Sequence, residues 1–315
     1  LPSLLSMILL IAVPILSVMT QSLFIAHKQI LVVSEACGPF GCVKETSVNA
    51  EATANLREKE PLGLYNGFAT YTNRNHLATS EIEASWNDSA GWKDFFSQIL
   101  NLPFYKAISF TLTYTFVVTP FVIILGFLIA IGVNTLATWL KGPTIFVSLL
   151  PMIVTPLIGS LILFWMIDSE GILGSTLQRI FNDNTLSLKA SPVLTWIMLI
   201  VYGIWHSAPF AFIVFYAGLQ TVPEETLEAS VLDGASRWQQ MRHVVIPYLM
   251  PLAIFVTLMQ LMDNFRVFEP IVGFSASANA TSLSWIIFND LRGEDDQLFG
   301  SAAATSMLTI IGVAI

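Results

Sequence analysis

Residues Pro223 to Pro251 read PEETLEASVLDGASRWQQMRHVVIPYLMP, a polar island between two apolar runs. The island predicts helix, turn, helix. Thr221 is a capping residue, Pro223 suits a first turn, and Glu224 and Glu225 complement a helix N-terminal dipole. Leu227, Val231 and Leu232 follow at helical spacing. Gly234 stands where a left-handed C-terminal cap is wanted. Ser236 with Gln239 three residues on is a capping box that starts a second helix. Trp238, Met241 and Val245 give that helix its own apolar face, and Pro247 and Pro251 open the next run. The small residues Ala229, Ser230 and Ala235 would let a partner approach the backbone, with Glu228, Asp233, Arg237 and Arg242 setting register. A solvated surface hairpin uses the same signals, so the pattern alone leaves both readings open.

The flanking runs decide the class. The 315-residue chain is 54% hydrophobic and 11% charged, where soluble proteins carry about 25% charged residues. Six apolar stretches approach the ~20 residues that a membrane helix needs. They are Ser3–Ile25, Ala107–Gly132, Pro143–Ile167, Pro192–Leu219, Val245–Ile271 and Phe299–Ile315. The expected fold is an all-α polytopic transmembrane bundle with six visible spans. Both ends read as cut from a longer chain. A cleaved signal peptide is the alternative for the first stretch, but it lacks a basic leader and an A-x-A site. The net charge of −8 speaks against a nucleic-acid partner.

The sequence divides into a first helix at 1–26, a polar insert at 27–102 and a membrane core at 103–315 that contains the island at 221–247. The insert holds Glu35 to Asp94 and the aromatics Tyr65, Tyr71, Trp86 and Trp92, enough for a small folded cap. It shows turn signals but no sustained period. Both cysteines lie in it, in Cys37-Gly-Pro-Phe-Gly-Cys42. A tight loop through the glycines would bring the sulfurs together, and a disulfide would require an oxidising compartment. Two free thiols are the alternative.

The order Glu228-Ala229-Ser230, Asp233-Gly234-Ala235, Ile246-Pro247 resembles the EAA loop of ABC-transporter permeases. The resemblance extends to Gly63-Leu64-Tyr65-Asn66, Ala107–Asn134, Pro151 and Pro156, Gly171-Ile172-Leu173, Trp205–Pro223, and Phe265 with Phe268. It is to the maltose-transporter-like permeases of carbohydrate ABC importers. Ser230 replaces the second Ala of the motif, Ile246 replaces a Leu, and Gly273-Phe274-Ser275 stands where a Gly-Gly-Pro is common. The resemblance implies that Glu228, Ala229, Ser230, Asp233, Gly234, Ala235 and Arg237 dock on an ATPase subunit in the cytoplasm. It implies a second permease subunit, two ABC ATPase subunits that hold the ATP and Mg, an extracytoplasmic solute-binding protein and surrounding membrane lipid. It also implies a bacterial or archaeal inner membrane with the insert outside. Charge counts in the short loops nearly tie, so orientation rests on the motif.

A transport site needs polar and aromatic groups at membrane depth, where they are costly unless they face a cavity. Trp205, His206, Ser207 and Phe210 surround Pro209. Thr257, Gln260 and Asn264 share one helix face at i, i+3, i+7. Aligned in register, maltose-type permeases line their sugar site from the same two helices, so these seven residues are the candidate substrate contacts. Interhelical hydrogen bonding is the structural alternative. Asp263 with Arg266 reads as an internal ion pair. Neither G-x-x-x-x-G-K-[ST] nor H-E-x-x-H occurs, and the four histidines are scattered, so no cofactor, metal site or catalytic role is expected of this chain. An ion-coupled secondary transporter is the alternative function; its coupling carboxylates would be Asp263 and Glu269.

Overall fold

The computed structural model describes residues 2–27, 30–38, 41–89, 91–182, 187, 189, 192–292 and 298–314. The chain opens with helix α1 (Leu5–Gln21). Strands β1 (Phe24–Ile25), β2 (Leu31–Gly38) and β3 (Gly41–Val48) follow, then α2 (Ala50–Lys59) and β4 (Leu64–Tyr65). Three short helices come next: α3 (Ala69–Thr72), α4 (Thr79–Asp88) and α5 (Trp92–Leu100). The membrane core begins with α6 (Pro103–Asn134), α7 (Thr138–Ile153), α8 (Pro156–Met166), α9 (Ile172–Phe181) and α10 (Pro192–Leu219). It continues with α11 (Glu224–Leu232), α12 (Arg237–Phe265), α13 (Glu269–Gly273), α14 (Leu283–Arg292) and α15 (Phe299–Ala314).

The protein is thus mostly helical, with two small antiparallel strand pairs among the described residues, β2–β3 within the insert and β1–β4 joining the end of the first apolar stretch to it. Among the described residues α6, α10 and α12 are long and apolar enough to span a membrane, and α7 with α8 makes a fourth candidate. The stretch 143–167, read from sequence as one apolar run, is broken here, and its two helices meet at 92°. The cause is local. Thr155 precedes Pro156, whose ring disfavours helical backbone in the preceding residue. Val154 and Thr155 are accordingly extended, and Pro156 starts the next helix. Helices α1 and α15 are apolar but shorter than the others.

The chain forms two compact units, residues 1–106 with 286–315, and residues 107–285. In the first, β1 pairs with β4 through Phe24–Tyr65 and Ile25–Leu64, and α15 packs on α1, α3 and β1. A buried polar cluster fixes this packing. His76, fully buried, holds Asn73 Oδ1 at 2.9 Å from Nδ1, and places Nε2 3.1 Å from both the Thr305 hydroxyl and the Ser301 carbonyl. Ser301 in turn donates to Asp290 Oδ2 at 2.7 Å. Burial pushes the His76 imidazole below its ordinary value of 6.5 and the Asp290 carboxyl above its ordinary 3.8.

In the second unit the core runs along the facing sides of α6 and α10. Phe110, Tyr114, Val118 and Val122 recur every four residues and meet Leu199, Tyr202, Phe212 and Phe215. Glycine allows the close approach at one point: a Cβ on Gly126 would collide with Ala211 and the backbone of Phe212. Buried Thr111 and Thr119 on α6 bond the backbone N–H of Leu283 and the amide of Asn264, which ties the segment after α13 and the end of α12 to the same helix.

Candidate solute cavity and coupling loop

The second unit encloses a cavity of about 600 Å³, within the range of small-molecule sites. Helix α10 faces it with Tyr202, His206, Ser207 and Phe210, which lie on one side of a helix. Opposite stand Gln260, Asp263, Asn264 and Arg266 from the end of α12, with Glu269 and Pro270 from α13. Tyr114 of α6, Met152 of α7 and Pro156 of α8 add to the wall.

The bend between α7 and α8 is pinned by α10. The Tyr202 hydroxyl donates to the Pro156 carbonyl at 2.7 Å. His206 Nε2 lies 3.2 Å from the Val154 carbonyl, an acceptor, so Nε2 carries the proton. The two rings stack at 5.8 Å. His206 is therefore a hydrogen-bonded wall residue that satisfies a carbonyl freed by the break.

The polar residues of α12 differ in how far they are satisfied. Arg266 Nη2 pairs with Asp263 Oδ1 at 3.1 Å, and both side chains are more than half exposed. Asn264 is 5% exposed and donates to Thr119 Oγ1 at 3.1 Å. Gln260 is 4% exposed, and its Oε1 has no hydrogen-bond partner among the described residues. A buried acceptor without a donor costs about 1–3 kcal/mol, and among the described residues this oxygen is the one buried side-chain atom left so.

Of the seven residues singled out on α10 and α12, the structure brings His206, Ser207, Phe210, Gln260 and Asn264 to the wall. Trp205 and Thr257 lie outside it. Trp205 is 47% exposed and tilts against Tyr202, and Thr257 donates back to the Ala253 carbonyl at 2.6 Å. Tyr114, Tyr202 and Glu269 are wall residues that the sequence reading omitted. Tyr202 sits one turn before His206 and was within reach of the same spacing argument. Tyr114 comes from a distant helix, and no local signal marks it.

The island folds as its residues predict except at its start, where Thr221 donates back to the Gly218 carbonyl instead of capping and Pro223 is the N-cap residue of α11. Helix α11 ends in a Schellman motif: Gly234 N–H donates to Val231 O and Ala235 N–H to Ser230 O, with Gly234 at φ +78°. The Ser236–Gln239 capping box starts α12. Gln240 Nε2 donates to Ser230 Oγ at 3.0 Å and joins the two helices. Glu228, Ala229, Asp233, Gly234 and Arg237 are exposed, Ser230 and Ala235 half-buried, and no ion pair engages Glu228, Asp233 or Arg237 among the described residues. Leu232, Val231 and Trp238 are 89%, 61% and 68% exposed. That uncovered apolar surface on a polar loop suits a docking face.

A family model for the inner membrane component of binding-protein-dependent transport systems matches residues 96–314. The chain belongs to this family. Its relatives bear out the resemblance to carbohydrate ABC-importer permeases. The multiple sugar-binding transport system permease MsmF of Streptococcus mutans is 30% identical over 217 residues, 67% of this chain and 73% of the relative. The trehalose/maltose transport system permease MalF of Thermococcus litoralis is 25% identical over 70% of this chain and 75% of the relative. A chain of a bacterial ABC transporter described as importing the acidic polysaccharide alginate shares the fold, with a TM-score of 0.59 at 20% identity over 84% of this chain and 92% of that one.

In the insert of this inner membrane component, β2 and β3 form a hairpin whose register sets Cys37 opposite Cys42 and Gly38 opposite Gly41. The cysteine side chains lie outside the described set. Opposed residues of an antiparallel pair have Cα atoms ~4.5–5.5 Å apart, inside the ~4.4–6.8 Å that a disulfide requires.

Proposed function

We propose that this chain is the permease subunit of an ABC importer that passes a neutral, hydroxyl-rich solute, a sugar or polyol, into the cytoplasm by alternating access. The observation that carries the site is the buried, unpartnered Gln260 Oε1 on the wall of the cavity. A sugar hydroxyl supplies the missing donor. Phe210 and the tyrosines offer flat surface for the apolar face of a sugar ring, and Ser207 and Asn264 offer neutral partners for its rim. The wall carries two carboxylates, Asp263 and Glu269, against one guanidinium, Arg266. That balance favours a neutral solute over an anionic one. The names of the sugar-permease relatives agree.

The remaining parts follow from the family. A solute-binding protein delivers the solute, as in a structural neighbour described in complex with an alginate-bound periplasmic protein. A second permease subunit completes the pathway. Two ATPase subunits hold ATP and Mg, and the α11–α12 loop docks on one of them with its exposed Leu232 and Trp238. The loop lies in the cytoplasm and the insert outside. The test is uptake of labelled maltose, trehalose and sorbitol by the assembly copurified from native membranes and reconstituted in proteoliposomes. ATP-dependent accumulation of at least one solute is expected. Uptake driven by an ion gradient without ATP would instead support the secondary-transporter reading.

A further inference from the structure

Helix α5 has a face that the described residues of its unit leave largely uncovered. Trp92, Phe95, Phe96, Ile99 and Leu100 recur at i, i+3, i+4, i+7 and i+8, and Lys93, Asp94, Ser97 and Gln98 fill the other side. Among the described residues Trp86 of α4 leans on this stripe, at 5.4 Å from Trp92 and 5.2 Å from Phe95 between ring centroids. Trp92 remains 66% exposed, Trp86 58%, Phe96 56% and Leu100 46%. Such a contiguous aromatic patch calls for a partner.

The covalent chain says which partner. Leu100 is followed by Asn101, Leu102 and then Pro103, the first residue of the span α6. Three residues of chain reach at most ~11 Å. The interfacial layer between hydrocarbon and water is ~5–7 Å deep on each side of the bilayer. The stripe is therefore tethered at the boundary that α6 crosses. The first turn of α6, Pro103-Phe104-Tyr105-Lys106, closes on a basic residue before the apolar run from Ala107, with Phe104 buried in the protein and the Tyr105 hydroxyl donating to the Leu77 carbonyl.

We propose that α5, with Trp86 of α4, is an in-plane membrane anchor that lies in the lipid headgroup layer with its aromatic stripe against the acyl chains. Its two charges, Lys93 and Asp94, cancel, so apolar burial drives the docking and the anionic lipid content does not matter. The anchor holds the insert to the bilayer surface at the point where the chain enters the membrane.

The test uses nitroxide labels at Phe96→Cys and, separately, at Ser97→Cys, in a Cys37→Ser/Cys42→Ser background, on the whole assembly in nanodiscs. At position 96, collisions with lipid-soluble oxygen should exceed those with a water-soluble nickel chelate several-fold. At position 97 the order should reverse. Both results should be the same in phosphatidylcholine with or without phosphatidylglycerol. Equal nickel access at the two positions would place the stripe in water and overturn the proposal. Shielding from both reagents, appearing with the binding protein or present throughout, would make it a protein-docking face and overturn it too. A second readout needs no cysteine: when Trp86 and Trp92 are replaced by Phe, the amplitude of tryptophan fluorescence quenched by brominated acyl chains should fall by the share of these two, beside the six tryptophans of this chain that remain. Unchanged quenching contradicts the anchor.

Discussion

Gln260 and Asn264 sit one turn apart on α12, yet among the described residues Asn264 has the Thr119 hydroxyl as partner and the Gln260 Oε1 has none. Gln260→Leu removes an amide that the solute is expected to satisfy, and Asn264→Ala removes its neighbour and leaves Thr119 unpaired. Each change should cut uptake roughly five- to hundredfold, the equivalent of a lost buried hydrogen bond. Stimulation of ATPase activity by the binding protein should persist, because the α11–α12 loop is untouched. Parallel assays of uptake and hydrolysis on proteoliposomes separate the two, and full uptake in both variants would reduce these residues to packing contacts. His76 makes a different kind of prediction. Its folded value lies below 6.5, so the unfolded state takes up its proton first as pH falls. The stability that the neutral ring provides is complete above 6.5 and declines as pH drops below it. Asp290, raised by burial, works in the opposite direction, since the folded state takes up its proton first as pH falls. The hydrogen-exchange protection factors of α3 and α15, corrected for the intrinsic rate at each pH, should therefore fall from about pH 7 to about pH 5. His76→Gln should flatten this dependence and Asp290→Asn should steepen it.

At the scale of elements, what the sequence reveals depends on how local the signal is. The α11–α12 hairpin was readable because its left-handed glycine and its capping box are set by residues a few positions apart; the Thr221 cap failed because that hydroxyl bonds back to the Gly218 carbonyl of the preceding helix. The face of α12 that carries Gln260 and Asn264 was readable for the same reason. The bend between α7 and α8 was not, although Pro151 and Pro156 were in view, because the carbonyls freed there are satisfied by Tyr202 and His206 from α10. The insert hid its elements because its helices run only 4 to 10 residues, too short to display a sustained period. Two predictions belong to this scale. In Gly126→Ala the new methyl group meets Ala211 and Phe212, and overpacking of this kind costs about 1–3 kcal/mol. The melting temperature of the assembly in detergent should fall, and an unchanged value would mean that α6 and α10 can part freely. In the loop, Gly234 has open space around it but a φ of +78°, so a side chain there strains the backbone rather than its neighbours. Gly234→Asp and Glu228→Lys should leave the protein in the membrane and uncouple uptake from hydrolysis. Normal uptake in both, at normal expression, would remove the loop from the coupling path.

For the whole molecule, the two ends of the proposed mechanism lie on one helix. Helix α12 begins in the loop at Arg237 and ends at Phe265, one residue past the cavity-lining Asn264, so a force applied at the loop has a continuous element along which to reach the solute. Sidedness is open to a chemical check. If the insert faces an oxidising compartment, Cys37 and Cys42 should resist a membrane-impermeant maleimide until they are reduced; labelling before reduction would refute the disulfide. The most direct measurement for the central claim is a cryo-electron microscopy structure of the copurified assembly, with binding protein and transported solute, trapped before ATP hydrolysis. The account predicts solute density in the second unit's cavity, with a hydroxyl within about 3 Å of the Gln260 amide and the ring face toward Phe210 or a tyrosine. Solute density elsewhere in the bundle, with Gln260 bonded to protein or lipid, would contradict it.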